Sequence, residues 1–555
     1  MKHRIWLATL RSASVSVAVA LFATAYSSTF ANAQGTIDPV ESNTKINPPT
    51  NDEVLKKVDR LVQQNEQLEK QNRELMNVIL TMRRALDEQS HTSKADATVR
   101  AVEPTLAKET RPDESRPSPT EISSTTAPAV KSPQSSSSSQ AGMAGQTTNV
   151  VAGEETSKTK WGNYTPNFGY KLANTEYGDL NLSIYSYGRY LNQRALEPTY
   201  TSSFGAITNL QQRQDFQLQK VQIKFLGWVM NPKFRYFLYA WTSNASQGLG
   251  AQVVLAGNLN YTFNNHLTIT AGIMSLPGTR SVEGNFPFWL GVDTRLIADE
   301  YMRPSYTSGV RASGTLGKRF SYQTMIGNNL STLGVSAAQL PNYFQTNSTA
   351  LVWMPTTGEF GMGFGDFENH EKVATRLAGH FTYSKENKQS QPNAEEIENT
   401  QLRLSDGSIV FTPNLFGPGI AITDAVYKMS SIDFGVKYHG YALEGEYYMH
   451  RLSNFQGNST SKLRPNSDLG YQLQASAMVI PKMLQGYVGG SEVIGNYGRP
   501  WDFRAGVNYF PYKNRVIRWN TEFLYLYRSP VGYPSVPFAF GGTGPVFHTN
   551  LELAF

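Results

Sequence analysis

The chain has 555 residues, 17% of them charged, and a formal net charge of +6. It contains no cysteine, which excludes disulfide bonds, thiolate metal sites and a lipid anchor on an N-terminal cysteine. The basic excess is small and forms no dense block of lysine and arginine, so a nucleic-acid partner is not expected.

Residues 1–33 have the pattern of a secretory signal peptide. Lys2 and Arg4 give a basic start, residues 15–26 are apolar, and Ala31 and Ala33 are small residues before a cleavage point. The alternative, a membrane anchor, would need about 20 apolar residues to cross the bilayer. No later apolar run reaches that length and the mean hydropathy is −0.39, so we expect no membrane-spanning helix.

After a flexible N-terminus at 34–50, residues 51–89 predict a short α-helical coiled coil. Apolar residues recur with a heptad spacing, which buries one stripe of each helix against its partner. The alternative is a single amphipathic helix that packs on another protein. The two core positions of the heptad hold Val54, Leu61, Leu68, Leu75 and Met82, and Val58, Asn65, Asn72, Ile79 and Leu86.

Residues 90–165 predict a disordered linker. The segment is rich in Ser, Thr, Pro and Ala, and it includes five consecutive serines after Gln134. A segment of this composition buries too little apolar surface to offset the entropy lost on ordering. We therefore expect a flexible tether between the coiled coil and the rest of the chain.

Residues 166–555 predict an all-β domain, a transmembrane antiparallel β-barrel of about 16 strands. Apolar residues alternate with polar ones, as at Leu259, Tyr261 and Phe263, and the next strand follows a tight turn at Asn264. Short turns alternate with long polar connections, which is typical of outer-membrane barrels. A soluble β-sandwich is the alternative, but it would have to hide the apolar face of every strand.

Enzyme motifs are not found in the sequence. It has no zinc-protease, phosphate-loop or hydrolase-elbow motif, and no Cys nucleophile. Gly361, Gly363 and Gly365 have part of the spacing of a dinucleotide fingerprint, but we interpret them as glycines of barrel strands. The sequence predicts no enzyme, no cofactor and no metal site. The alternative is a hydrolase site that scattered Ser and His residues form in the lumen or at the rim of the barrel.

The C-terminal residues predict a final barrel strand. Phe547, Leu551, Leu553 and Phe555 share one face, and a terminal aromatic residue on such a strand resembles the signal read by the barrel assembly machinery. Phe555 is therefore the predicted assembly signal.

Residues 178–555 resemble the phosphate-selective porin O and P family of Gram-negative bacteria. The resemblance is strongest at residues 436–440, at 444–448 with Arg451, and from 470–474 through to 480–482. The resemblance implies a trimer of sixteen-stranded barrels that pass small anionic or uncharged solutes passively. Asn65 and Asn72 argue for a dimer instead, because asparagine at this heptad position often specifies two strands.

The connection 276–306 predicts a loop that narrows the channel. It contains the apolar anchors Phe286, Phe288, Trp289, Leu290 and Ile297, which imply that it packs on something rather than standing in solvent. The alternative is a loop packed at a subunit interface. Its charged residues, the predicted constriction residues, are Arg280, Glu283, Asp293, Arg295, Asp299, Glu300 and Arg303.

The predicted lumen wall follows from strand alternation, because the polar face of each strand lines the inside of a closed barrel. Mixed charge across a pore selects ions by sign. The inward residues are Lys224, Arg311, Arg376, Asp433, Lys437, Glu444, Glu446, Asp502, Arg504, Arg518 and Glu522.

The sequence thus predicts an outer-membrane porin of a Gram-negative-type bacterium, with its coiled coil in the periplasm. The expected partners are membrane lipid and lipopolysaccharide, the assembly machinery, small hydrophilic solutes or anions, and two further copies of the chain. The alternative is a structural anchor, in which the barrel only holds the coiled coil to the membrane.

Overall fold

The computed structural model describes residues 164–165 and 169–555, except for 243–252, 284–285, 333–334, 336–338, 341–343, 362, 392–401 and 533–535. The predicted signal peptide, the 34–50 segment, the coiled coil and almost all of the linker lie outside the described residues. The helices among the described residues are too short and too polar to cross a membrane.

Sixteen antiparallel strands close into a barrel, which confirms the predicted fold class. They are β3 (Gly178–Asn192), β6 (Gln214–Val229), β7 (Asn231–Thr242), β8 (Val253–Asn264), β9 (Leu267–Ser275), β10 (Tyr306–Thr315), β11 (Phe320–Gly327), β12 (Thr346–Trp353), β13 (Ala374–Asn387), β14 (Ala421–Tyr438), β15 (Tyr441–Asn458), β16 (Asn466–Ile480), β17 (Leu484–Ile494), β18 (Trp501–Tyr509), β19 (Ile517–Tyr527) and β20 (Gly544–Ala554).

Four shorter strands complete the sheets. They are β1 (Tyr164–Thr165), β2 (Gly169–Thr175), β4 (Thr199–Thr201) and β5 (Ile207–Asn209). β1 begins just before the predicted boundary at 166 and pairs with β2, and β2 pairs with the first half of β3. The one α-helix in the described residues, α1, spans Ile297–Met302.

The barrel closes where β20 pairs with β3. Phe547 lies opposite Asn192, and Ala554 lies opposite Tyr185. The backbone of Phe555 extends this ladder by two hydrogen bonds to Ile184, of 2.8 and 3.0 Å. Each of the sixteen barrel strands therefore has a partner on both edges, which removes the open edges that would promote aggregation.

The two faces of the wall differ as strand alternation requires. On β14, Ile432, Phe434 and Val436 are between 41 and 49% exposed, whereas Asp433 and Lys437 between and beside them are buried. The same alternation on the other strands places aliphatic and aromatic side chains outside and polar side chains inside. An apolar outer belt of this kind is suited to the hydrocarbon core of a membrane.

One connection departs from the expected pattern of short turns at one end of the barrel. The turns at 265–266, 316–319, 439–440, 481–483 and 510–516 are short, but β12 and β13 are joined by residues 354–373. Gly361, Gly363 and Gly365 lie in this connection, so their assignment to barrel strands is wrong. Alternating glycines resemble a strand, but Gly361 and Gly365 have φ angles of 72° and 76°, which strands do not use.

Candidate pore constriction

The connection 276–305 between β9 and β10 folds into the barrel. Its apolar residues Val292, Leu296 and Ile297 are fully buried, and α1 contacts β16, β17 and β18 on the inner wall. Of the predicted constriction residues, Arg280, Glu283, Asp293, Asp299 and Glu300 are buried, and Arg295 and Arg303 are largely so.

The first part of this connection bonds to β13, β14 and β15. Arg280 Nε lies 3.4 Å from Glu444 Oε2, and the backbone N–H of Arg280 donates to Glu446. Arg376 bridges the connection and the wall, because its guanidinium lies 2.6 Å from Glu283 and 2.7 Å from Asp433. Arg376, Asp433, Glu444 and Glu446 on these three strands are therefore bonded to the connection or to one another, whereas Glu386 on β13 bonds to Leu330, Ser384 and Gln391.

The second part bonds to β17, β18 and β19. Asp502 accepts a hydrogen bond from the backbone N–H of Ile297 at 3.1 Å, and Arg504 donates to the carbonyl oxygen of Thr294 at 3.0 Å. Arg518 donates to the carbonyl oxygen of Trp289 at 2.7 Å. Wall side chains thus satisfy backbone groups that an irregular buried segment would otherwise leave without partners.

Within the connection, opposite charges compensate one another around α1. Glu300 accepts from Arg295 at 2.9 Å and also from Arg303. Burial alone would raise the pKa of Glu300, but the attraction of Arg303 and Arg295 holds it below the usual value. The Arg295 guanidinium also stacks 3.8 Å from the centre of the Trp289 ring.

The connection 354–373 enters the lumen from the opposite end and meets the first connection. Phe364 packs with Trp289, Leu290 and Tyr487, and its backbone N–H donates to the carbonyl oxygen of Phe288 at 2.9 Å. Two inward-folded connections therefore share one packed interface inside the barrel.

The predicted wall residues all point inward and are at most 6% exposed. Most of them contact the two connections, but Lys224 on β6 and Arg311 on β10 stand on a different part of the wall. Arg311 Nη1 lies 3.5 Å from Gln323 on the neighbouring strand. The structure thus divides the predicted wall into a part bonded to 276–305 and a part away from it.

Sequence reasoning missed several inward charges. Arg189 on β3 donates to the carbonyl oxygen of Val292 at 2.9 Å, and Glu552 on β20 pairs with Arg518. Strand alternation would have found both, since Gly188 and Leu551 beside them face outward. His380 was missed because its neighbours Gly379 and Phe381 give a weak alternation signal.

A group of side chains near Arg376 has the composition of a metal site. His380, Asp433 and Glu446 offer ligand atoms within 4.8 Å of one another. Arg376 lies 2.7 Å from Asp433 and His380 lies 2.7 Å from the other oxygen of the same carboxylate, so both oxygens of Asp433 already have partners in the protein. We interpret the group as part of the ion-pair network that holds the 276–305 connection.

The fold of this chain is similar to that of known outer-membrane proteins whose sequence identity to it is low. No protein-family profile and no curated protein sequence matches the chain. It is similar to OmpT of Vibrio cholerae (TM-score 0.44, 9% identity, 69% of this chain and 99% of that chain covered). It is also similar to an anion-selective porin from Comamonas acidovorans, with a TM-score of 0.42, 8% identity, and 68% of this chain and 100% of that chain covered. The outer-membrane channel DcaP of Acinetobacter baumannii gives a TM-score of 0.42 and 8% identity, with 69% of this chain and 99% of that chain covered.

Proposed function

We propose that this protein is an outer-membrane porin, a passive diffusion channel for small hydrophilic solutes. The observation that carries the proposal is the combination of an apolar outer belt, a polar inner wall and a connection folded into the lumen at 276–305. A barrel whose only task is to anchor has no need for an inner wall lined with charges, since each buried charge costs free energy.

The constriction is formed by 276–305 in this proposal. Arg280, Glu283, Asp293, Arg295, Asp299, Glu300 and Arg303 are its charged residues, and most of these charges are compensated by ion pairs. A constriction with paired charges selects weakly by sign. The basic residues elsewhere on the wall then favour anions, of which phosphate is one.

We further propose that three copies assemble, each with its coiled coil in the periplasm. The apolar outer belt contacts membrane lipid and lipopolysaccharide, and the barrel assembly machinery recognises the strand that ends at Phe555. The Phe555 ring is packed edge-on against Tyr170, with the ring centres 5.0 Å apart. Mass measurement of the purified complex in detergent tests the subunit number, and a mass of two chains would overturn the trimer.

The test of channel function is conductance in a planar bilayer. We expect stable steps of current after insertion of the purified full-length protein, and a reversal potential in a salt gradient that indicates weak anion preference. A folded, inserted protein that passes no current would overturn the proposal.

One observation favours the second candidate, a structural anchor. The connections 276–305 and 354–373 enter the barrel from opposite ends and pack together, as a plug would. In that case the barrel only fixes the coiled coil to the outer membrane. Two results together would support the anchor: the inserted protein passes no current, and deletion of the coiled coil detaches the outer membrane from the periplasmic structures below it.

A further inference from the structure

Most hydrogen bonds from the connection 276–305 to the barrel wall go to one arc of that wall. Its hydrogen bonds to the barrel strands reach β3, β6 and β13 to β18, together with β19, as at Arg189, Lys220 and Arg518. Among β7 to β12, the last residue of β9 also bonds to the connection, because Ser275 donates to the carbonyl oxygen of Val282 at 2.6 Å. At the same end of the barrel, Met274 and Met325 pack with Leu276. Away from that end, the inner face of β7 to β12 is therefore the arc along which a solute meets the wall rather than the connection.

The charge on this arc has one sign. The strands β7 to β12 contain no aspartate or glutamate, and they carry Lys233, Arg235 and Arg311. The neighbouring strand β6 adds Lys224, which is 5% exposed. No hydrogen bond or ion pair joins Lys224 to the other described residues, in contrast to Arg376 or Arg518. A lysine in this situation holds a charge that a solute can neutralise.

Beside these cations lie polar atoms that have no hydrogen-bond partner among the described residues. They are Asn258 Oδ1, Asn260 Oδ1 and Thr270 Oγ1, in side chains that are 2%, 3% and 1% exposed. Asn260 is the direct cross-strand neighbour of Thr270, and Thr270 is that of Arg311. A buried polar atom without a partner costs free energy, so such a group indicates a place that a polar ligand or water fills.

Aromatic side chains stand between Lys224 and the two asparagines. Tyr239 lies opposite Lys224, and Phe237 lies opposite Asn258. Phe237 and Tyr239 both point inward and are 6% and 8% exposed, in a wall whose other inward positions are mostly polar. Aromatic faces in a polar site give apolar contact to one side of a ligand while its edges form hydrogen bonds.

We propose that this part of the inner wall is a solute-binding subsite for a ring-shaped, hydroxylated carboxylate, of the sugar-acid class. Lys224 binds the carboxylate, the amide oxygens of Asn258 and Asn260 accept hydrogen bonds from ring hydroxyls, and Phe237 and Tyr239 contact the C–H face. The proposal deepens the porin function and rests on it, because it assigns the solute class of the same lumen.

The test is equilibrium binding by titration calorimetry of the full-length protein in detergent, which needs no ion current. Three probes of similar size separate the contributions: glucuronate has the charge and the hydroxyls, glucose lacks the charge, and cyclohexanecarboxylate lacks the hydroxyls. We expect saturable binding of glucuronate, and at least about tenfold weaker binding of each of the other two, because each loses one set of hydrogen bonds.

The second part of the binding test uses variants with substitutions in the subsite. Lys224→Met weakens glucuronate binding about tenfold and leaves glucose binding unchanged, whereas Asn260→Leu weakens both sugars. Lys224→Arg retains most of the glucuronate binding. Lys233→Met is the matched control, because it removes the same charge from an exposed position at the end of β7.

The outcomes separate this subsite from the channel function. Equal affinity of Lys224→Met and the native protein for glucuronate would overturn the subsite, as would equal weak binding of all three probes, which would mean that the polar atoms hold only water. If the protein conducts but binds no probe, the subsite is wrong and the porin stands. If it binds glucuronate selectively but passes no current, the channel function is wrong and the binding chemistry stands.

Discussion

Arg280 donates a hydrogen bond through Nη2 to the backbone carbonyl oxygen of Gly363 at 3.1 Å, and so joins the connection from one end of the barrel to the connection from the other. Lys437 Nζ donates to the same oxygen at 2.7 Å. Glu444 accepts from the backbone N–H of Gly365 at 3.0 Å and pairs with Arg280. The 354–373 connection is therefore held in the lumen by residues of the wall and of 276–305 together.

We expect that shortening 354–373 raises the single-channel conductance. Replacement of residues 357–371 by a two-residue Asn-Gly turn, which suits a tight hairpin, removes Phe360 and Phe364 from the lumen. The open cross-section grows, so the conductance should increase by about twofold or more. Bilayer recordings of the variant and the native protein check this.

The matched control is to shorten the 459–465 connection, whose 3-10 turn Thr460–Lys462 has no buried residue. We expect the same conductance as in the native protein. If both variants conduct like the native protein, 354–373 lies outside the conducting path.

The 354–373 connection also contains a pH-sensitive clasp. His370 Nε2 lies 3.1 Å from Glu359, and His370 Nδ1 bonds to Asp366, which accepts from the backbone N–H of Gly440. Burial alone would lower the pKa of His370, but the hydrogen bonds and charges of Asp366 and Glu359 raise it to about 9. Glu368, Lys437 and Arg515 are further charged groups near this clasp.

We expect this clasp to stabilise the protein below about pH 6.5 and to lose its contribution as the pH rises through 9. The sign follows from the raised pKa, because the folded protein keeps a proton on His370 that the unfolded chain releases near pH 6.5. His370→Asn should lower the midpoint of thermal unfolding by a few degrees at pH 6 and leave it unchanged near pH 10. Thermal unfolding followed by circular dichroism measures both. An equal effect at the two pH values would contradict an ionic clasp.

The pair Arg518–Glu552 joins β19 to β20 and also holds the 276–305 connection. Arg518 Nη2 lies 2.8 Å from Glu552, and Nη1 donates to Trp289. Arg518→Met leaves a buried carboxylate without a partner, which costs about 3–5 kcal/mol. We expect the double variant Arg518→Met, Glu552→Met to recover part of this loss. The free energies of unfolding of the native protein, the two single variants and the double variant form a double-mutant cycle, and urea unfolding in detergent measures them. If the two single changes lower the free energy of unfolding additively, the pairing is contradicted.

Strand alternation was sufficient to predict the barrel and the inward direction of its charges. Most wall residues, such as Lys437 between Val436 and Tyr438, stand between two outward apolar residues, so their direction depends on local sequence. The strand count followed from the same signal, because each hairpin turn marks a change of direction.

The partners of the inward charges could not be predicted in this way. The Arg376–Glu283 pair joins residues 93 positions apart, and the path of an irregular connection through the lumen decides it. The 354–373 connection was missed because its alternating glycines and phenylalanines imitate a strand, although Phe360 and Phe364 pack inside the barrel. Whether 276–305 forms the constriction stays a prediction that recordings must test.

We expect a barrel without residues 34–160 to insert and conduct like the full-length protein. The wall and both inward connections are built downstream of this segment, and its composition offers little apolar surface for packing. Bilayer recordings of the truncated protein check this. Loss of current in a truncated protein that still folds would give the N-terminal region a role in the pore.

The last prediction concerns which charges set the ion selectivity. Neutralising Arg280, Arg295 and Arg303 together leaves the four carboxylates of 276–305, so we expect the reversal potential in a salt gradient to move toward cation preference. Single changes of Arg295 or Arg303 should have smaller effects. Each of these arginines has a carboxylate within 4 Å, so much of its field is already cancelled at a distance.

Lys224 differs because no carboxylate among the described residues pairs with it. We therefore expect Lys224→Met alone to move the reversal potential further than Arg295→Met or Arg303→Met, with Lys233→Met as the control of equal charge. The difference should fade as the salt concentration rises, since screening shortens the reach of each charge to about 3 Å at 1 M. If Arg295→Met or Arg303→Met has the larger effect, ions pass close to α1, and the selectivity is set by the connection rather than by the β6 to β12 wall.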